Sequence, residues 1–124
     1  MEDLRDYESV PVVTLCGSTR FKDEFIKQNR LYTLLGYAVF SVGVFGHATG
    51  EFIPTGEKEQ LDHLHKCKIL LSSSILVINV DGYIGESTAS EIQFAYEQNV
   101  SIHFLEPESG MRWLEDNIDL VVIK

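Results

Sequence analysis

Glu91 closes a run of oxygen-bearing side chains, Asp81-Gly-Tyr-Ile-Gly-Glu-Ser-Thr-Ala-Ser-Glu91, which follows the apolar stretch 75–80. A carboxylate between a buried strand and a helix stands where open α/β proteins bind ligands. There it can attack the anomeric carbon of a sugar and form a covalent glycosyl intermediate. Asp81, in the same turn, can hold a proton for a leaving base or bind a ribose hydroxyl. Tyr83 offers a ring for a nucleobase. Ser87 and Thr88 add hydroxyls beside Glu91. The same spacing supports a second reading, since Thr88-Ala-Ser-Glu91 also fits a capping box with Thr88 as N-cap. Glu86 is read as a solvated loop acid.

Gly17-Ser18-Thr19-Arg20 is the second such group. It follows another apolar run, 10–16, and opens a helical pattern. Backbone N–H groups at a helix start attract anions. Ser18 and Thr19 add hydroxyl donors, and Arg20 adds a fork that matches phosphate or carboxylate. The plainer alternative is an N-cap with a solvated arginine. The stretch lacks the Gly-Lys-Ser/Thr ending of a phosphate-binding P-loop.

The histidines do not form a metal motif by spacing. His63 and His65 are two apart on a helical pattern and face different ways, whereas a helical zinc pair needs a spacing of four. No catalytic metal and no cofactor are expected. His47, in a glycine-rich stretch, is a candidate ligand contact. His103 is read as structural, and Lys66 and Lys68 as surface charges.

These residues need elements to hold them. Residues 10–16 read as a first strand, and Phe21, Phe25, Asn29, Tyr32 and Leu35 as the stripe of a first helix that stops at Gly36. Residues 37–41 read as a second strand. The stretch 42–56, with four glycines and Pro54, reads as a long functional loop. Leu61, Leu64, Lys68 and Leu71 mark a second helix. Residues 75–80 are apolar on both faces, as in a central parallel strand. A helix from about Thr88 to Gln98, a strand at 101–105, a short helix at 110–117 and an edge strand at 120–123 complete the chain. Regular alternation means a parallel sheet with right-handed crossovers. The expected fold is a flavodoxin-like, Rossmann-like three-layer sandwich of about five strands, order 2-1-3-4-5, in one domain over residues 1–124. That order sets the ends of strands 1 and 3 side by side.

Composition narrows the partners. The net charge of −9 over 124 residues argues against DNA or RNA polymers, which require a basic footprint. The apolar runs are all far shorter than the roughly 20 residues that span a bilayer. Cys16 and Cys67 read as two reduced thiols, and the charged N-terminus carries no apolar signal core. A cytoplasmic protein is expected.

Cys16-Gly-Ser-Thr-Arg20 and Gly85-Glu-Ser-Thr-Ala-Ser-Glu91 together resemble the nucleoside 2-deoxyribosyltransferase superfamily, which includes 2-deoxynucleoside 5-phosphate N-hydrolases. The similarity runs loosely across most of the chain through the order of elements. It implies that Glu91 is the nucleophile, that Gly17 and Ser18 bind substrate, and that Arg20 lies on the phosphate side. It also implies a homodimer or larger homo-oligomer with a small nucleoside or nucleotide as partner. Gly85 stands where the transferase pattern carries an aspartate. The expected function is N-glycosidic cleavage or deoxyribosyl transfer. The alternatives are a non-catalytic nucleotide-sensing module and an NAD-cleaving glycosidase.

Overall fold

The computed structural model describes residues 9–43 and 45–118, apart from the side chain of His47. Strand β1, Val12–Gly17, leads through a 3-10 turn, Thr19–Phe21, into α1, Lys22–Leu34. Strand β2, Ala38–Phe40, is followed by a four-residue helix α2, Gly46–Thr49, and by α3, Thr55–Leu70. Strand β3, Ser74–Ile78, passes through a second 3-10 turn, Val80–Gly82, into α4, Glu86–Glu97. Strand β4, Ser101–Phe104, and α5, Pro107–Asn117, follow. The strands are parallel in the order β2-β1-β3-β4. The predicted architecture is therefore present over four strands. The predicted strand at 120–123 lies outside the described residues.

Strand β3 is buried at every position, as the run of apolar residues without alternation requires. Strand β1 alternates beneath its two layers. Val13 and Leu15 pack with Leu76, Ile78 and Phe25 of α1. Cys16 packs on the other face with Val77, Ile69 of α3, and Ile92 and Ala95 of α4. Trp113 and Leu114 of α5 join this second cluster. Each fully buried Leu, Ile or Phe contributes roughly 1.5–3 kcal/mol by leaving water, so the two clusters fix the layers. Thr14 shares the Cys16 face, and its hydroxyl donates to the Lys68 carbonyl at 3.2 Å. That bond seats the end of α3 against β1.

Two glycines permit close packing. A Cβ on Gly17 would meet the Ile78 carbonyl oxygen at 2.9 Å, and Gly17 pairs with Ile78 in the sheet register. A Cβ on Gly110 would collide with the Phe104 ring. Only glycine lets α5 lie so close to β4.

Three local expectations are corrected. The long loop carries helix α2. The buried stripe of α3 is His65 and Ile69, while Leu64 and Leu71 are exposed. The stripe is rotated because the i, i+4 pair His65 and Ile69 meets the sheet, and Leu64 and Leu71 fall off that face. Helix α4 begins at Glu86 with Gly85 as N-cap. Thr88 is thus the third helical residue, and it is buried. The capping box with Thr88 is absent because the helix starts three residues early.

Candidate active site

Strands β1 and β3 are neighbours, so the turns that follow them open on the same edge of the sheet. Ser18 caps the 3-10 turn, and its Oγ accepts from the Arg20 backbone N–H at 3.3 Å and from Arg20 Nε at 3.1 Å. Arg20 then crosses to the turn after β3. Its guanidinium lies 4.5 Å from the centre of the Tyr83 ring and donates to the Tyr83 hydroxyl at 3.3 Å. Phe21 meets the same ring edge-on at 6.0 Å. Thr19 is half-buried beneath this turn. An arginine over an aromatic face is held by the ring quadrupole, at roughly 0.5–1 kcal/mol when exposed. It is tethered weakly enough to swing to an anion.

The turn after β3 is shaped from the other side. Asn79 is fully buried. Its side-chain amide donates to the Glu106 carbonyl at 3.0 Å, and its side-chain oxygen accepts from the Glu106 N–H at 2.8 Å. Asp81 takes the left-handed conformation, φ 54°, and its N–H donates to Glu106 Oε2 at 2.7 Å. Asparagine and aspartate tolerate that conformation better than most residues. The bonds that fix Asp81 come from its backbone, and its side chain is exposed.

Glu91 sits one turn into α4, facing the sheet. Its side chain is only 12% exposed, and Oε1 lies 3.8 Å from His65 Nε2. The same imidazole nitrogen lies 3.4 Å from Cys16 Sγ. The thiol, imidazole and carboxylate donor atoms all fall within 4.8 Å of one another. They come from the end of β1, the middle of α3 and the second turn of α4.

Burial dominates the electrostatics. It pushes the Glu91 carboxyl from 4.5 to about 8, helped by the negative charge of Asp62 and opposed by Lys66 and by a hydrogen bond with Cys16. His65 falls from 6.5 to about 4, through burial first and then the positive charge of Lys68. Burial, then the Glu91 charge, raises the Cys16 thiol. At neutral pH the three groups are thus a protonated carboxyl, a neutral imidazole and a thiol, a set of neutral groups that a dry interior tolerates.

The predicted residues therefore fall into two groups. Ser18, Arg20 and Tyr83 meet at the rim, beside Gly17. Glu91 falls in a second group, with Cys16 and His65. Ser87 is exposed in the first turn of α4, and Thr88 points inward. Asp81 is not among the groups that act on Glu91, whereas Asp62 is. The backbone of His47 lies in α2, and its side chain is outside the description. Lys66 and Lys68, read as surface charges, are engaged: Lys66 donates to Ser90 Oγ at 3.0 Å and Lys68 to the Ser41 carbonyl at 2.6 Å.

Sequence reasoning missed Cys16, His65 and Asp62. A signal existed for His65, which lies four residues before Ile69 and four after Leu61. That is a polar residue set in an apolar stripe. Cys16 shares the alternation of Thr14, so it faces the helices that carry His65 and Glu91.

Fold and site together define a parallel α/β fold with a nearly buried carboxyl beside the end of β1 and a separate polar rim formed by the turns after its two central strands. Comparison of the chain with protein-family models, curated proteins and solved structures finds no match.

Proposed function

We propose that this chain cleaves or transfers the N-glycosidic bond of a deoxynucleoside or its 5-phosphate, with Glu91 as nucleophile. One observation carries the reading: Glu91 is nearly buried against Cys16 at the end of β1 and caps no helix, so no helix-end role accounts for it. A buried acid is costly, and functional sites are where such costs concentrate. The resemblance of the two turn motifs to the nucleoside 2-deoxyribosyltransferase superfamily points the same way.

In this mechanism the ionised Glu91 oxygen bonds to C1 of the sugar as the C–N bond breaks. The pair of electrons leaves with the base, which takes up a proton. In this proposal Asp81, in the turn after β3, gives the base that proton, while the Asp62 charge acts on Glu91. Water then cleaves the glycosyl ester, or a second base does so in a transferase. A sugar without a 2-hydroxyl develops positive charge at C1 more easily, which favours deoxy substrates. Arg20 leaves the Tyr83 ring to hold a 5-phosphate, and Tyr83 stacks on the base. Because burial holds Glu91 protonated up to about pH 8, turnover rises with pH as the carboxylate forms.

The chain is proposed to act as a homodimer. The exposed Leu64, Leu70 and Leu71 near the end of α3 supply apolar surface for a second copy. The described helices include none long and apolar enough to cross a membrane.

The test is a chromatographic screen for free base released from deoxynucleosides, their monophosphates and NAD. Release from deoxy substrates supports the proposal. Release from NAD alone would assign the NAD-cleaving activity, and binding without release would assign the sensing role.

A further inference from the structure

A sulfur, a nitrogen and an oxygen donor converge in the second helical layer, and none of the three was brought there by local spacing. Cys16 and His65 are 49 residues apart in sequence, and Glu91 lies a further helix away. Only the folded chain assembles them. Cys16 Sγ and His65 Nε2 are 3.4 Å apart, His65 Nε2 and Glu91 Oε1 are 3.8 Å apart, and no pair exceeds 4.8 Å. A tetrahedral zinc ion with bonds of about 2.0–2.3 Å sets its ligands roughly 3.3–3.6 Å apart. The two shorter separations already lie near that range, and the third, between Cys16 and Glu91, is within 4.8 Å.

We propose that Cys16, His65 and Glu91 form a binding site for one zinc-type divalent cation, with the fourth position open. The donor chemistry selects the ion. A thiolate with an imidazole favours zinc and its cobalt substitute over magnesium or calcium, which take oxygen ligands. The support around the ligands has the pattern of a metal site. His65 is buried, which restricts the orientations its ring can take. Ile69, one turn along from His65, and Ile92, beside Glu91, are both fully buried and hold the two helices at fixed distance. Lys66, beside the site, is drawn aside to Ser90 Oγ.

The site stands apart from the nucleophile proposal, since the cation would bind whether or not Glu91 ever attacks a sugar. If both hold, the cation occupies the Glu91 oxygen and blocks base release. Binding would then be an off-switch for the chemistry.

The experiment uses the full chain, stripped with chelator and titrated with cobalt(II). A thiolate-to-cobalt charge-transfer band at one equivalent, with the intense visible bands of four-coordination, is expected, and zinc should abolish both. Cys67 and His63 make a second thiol–imidazole pair, 3.8 Å apart and exposed on α3, so Cys67→Ser is the control. The band should survive in Cys67→Ser and vanish in Cys16→Ser. Glu91→Gln should keep the band but weaken binding by more than the roughly 10–100-fold that loss of an outer partner costs. Circular dichroism checks that each variant is folded. If Cys16→Ser does not fold, the Cys67→Ser and Glu91→Gln arms decide. A folded wild type with no band overturns the proposal. So does a band lost in Cys67→Ser, and so does unchanged affinity in Glu91→Gln.

Discussion

Replacing Glu91 by Gln should change how the stability of this chain depends on pH. In the folded chain the Glu91 carboxyl is raised from 4.5 to about 8. A raised carboxyl binds its proton more tightly when folded than when unfolded. Its contribution to stability is therefore complete below about pH 4.5 and is lost as pH rises through about 8. The interval is roughly 3.5 pH units at ~1.4 kcal/mol each, so the full loss is about 3–5 kcal/mol. This is a large share of the roughly 5–15 kcal/mol that holds a domain together. His65 acts in the opposite sense. Its folded value of about 4 lies below 6.5, so its contribution is present above 6.5 and is lost as pH falls towards 4. Between pH 4.5 and 6.5 the two slopes oppose each other. From 6.5 to 8 Glu91 acts without that opposition, and the wild type should lose about 2 kcal/mol relative to the variant. Urea unfolding followed by circular dichroism at a series of pH values measures this. The Glu91→Gln chain should gain steadily on the wild type from pH 6.5 to 8. Parallel profiles across that window would refute the buried-carboxyl reasoning.

The neighbours of Glu91 should move the same titration in known directions. Asp62→Asn removes a negative charge and should shift its midpoint below 8, while Lys66→Gln should shift it upward, both read from the pH at which stability falls. Arg20→Ala should raise KM for 5-phosphate substrates by roughly 10–100-fold, the equivalent of one charged hydrogen bond, with kcat little changed in steady-state assays. Gly110→Ala must drive a Cβ into the Phe104 ring, and urea unfolding should show a loss of about 1–3 kcal/mol from overpacking. Static light scattering should show a dimer that weakens in Leu71→Glu.

The sheet was legible because its central strand, β3, lies in a nearly unbroken apolar run. Residues 75–80 could only be a strand covered on both faces, and alternation of elements then ordered the rest. The paired turns were legible too, because Gly17 marks where β1 ends and Gly85 where α4 begins. Local spacing misled at α4, where Thr88-Ala-Ser-Glu91 matches a capping box but Gly85 takes the N-cap with an extended backbone. A single helical start shifted by three residues changes Glu91 from a cap to an inward-facing acid. Spacing also misled on α3, where Leu61, Leu64 and Leu71 outweighed His65, although the sheet receives His65 and Ile69. The Cys16–His65–Glu91 cluster could not be read from any one segment. Its three donors belong to three elements, and only packing brings them together.

The central claim is that the Glu91 carboxylate attacks the sugar. It is tested most directly by the rate of base release from the best deoxynucleotide substrate, measured by chromatography on wild type and folded Glu91→Gln. The amide is a poor nucleophile, and the Gly17–Arg20 turn proposed to hold the ligand is untouched. Release should fall by orders of magnitude in the variant, with substrate binding retained. Full release by Glu91→Gln, or none by the wild type on any deoxynucleoside or deoxynucleotide, would contradict the account.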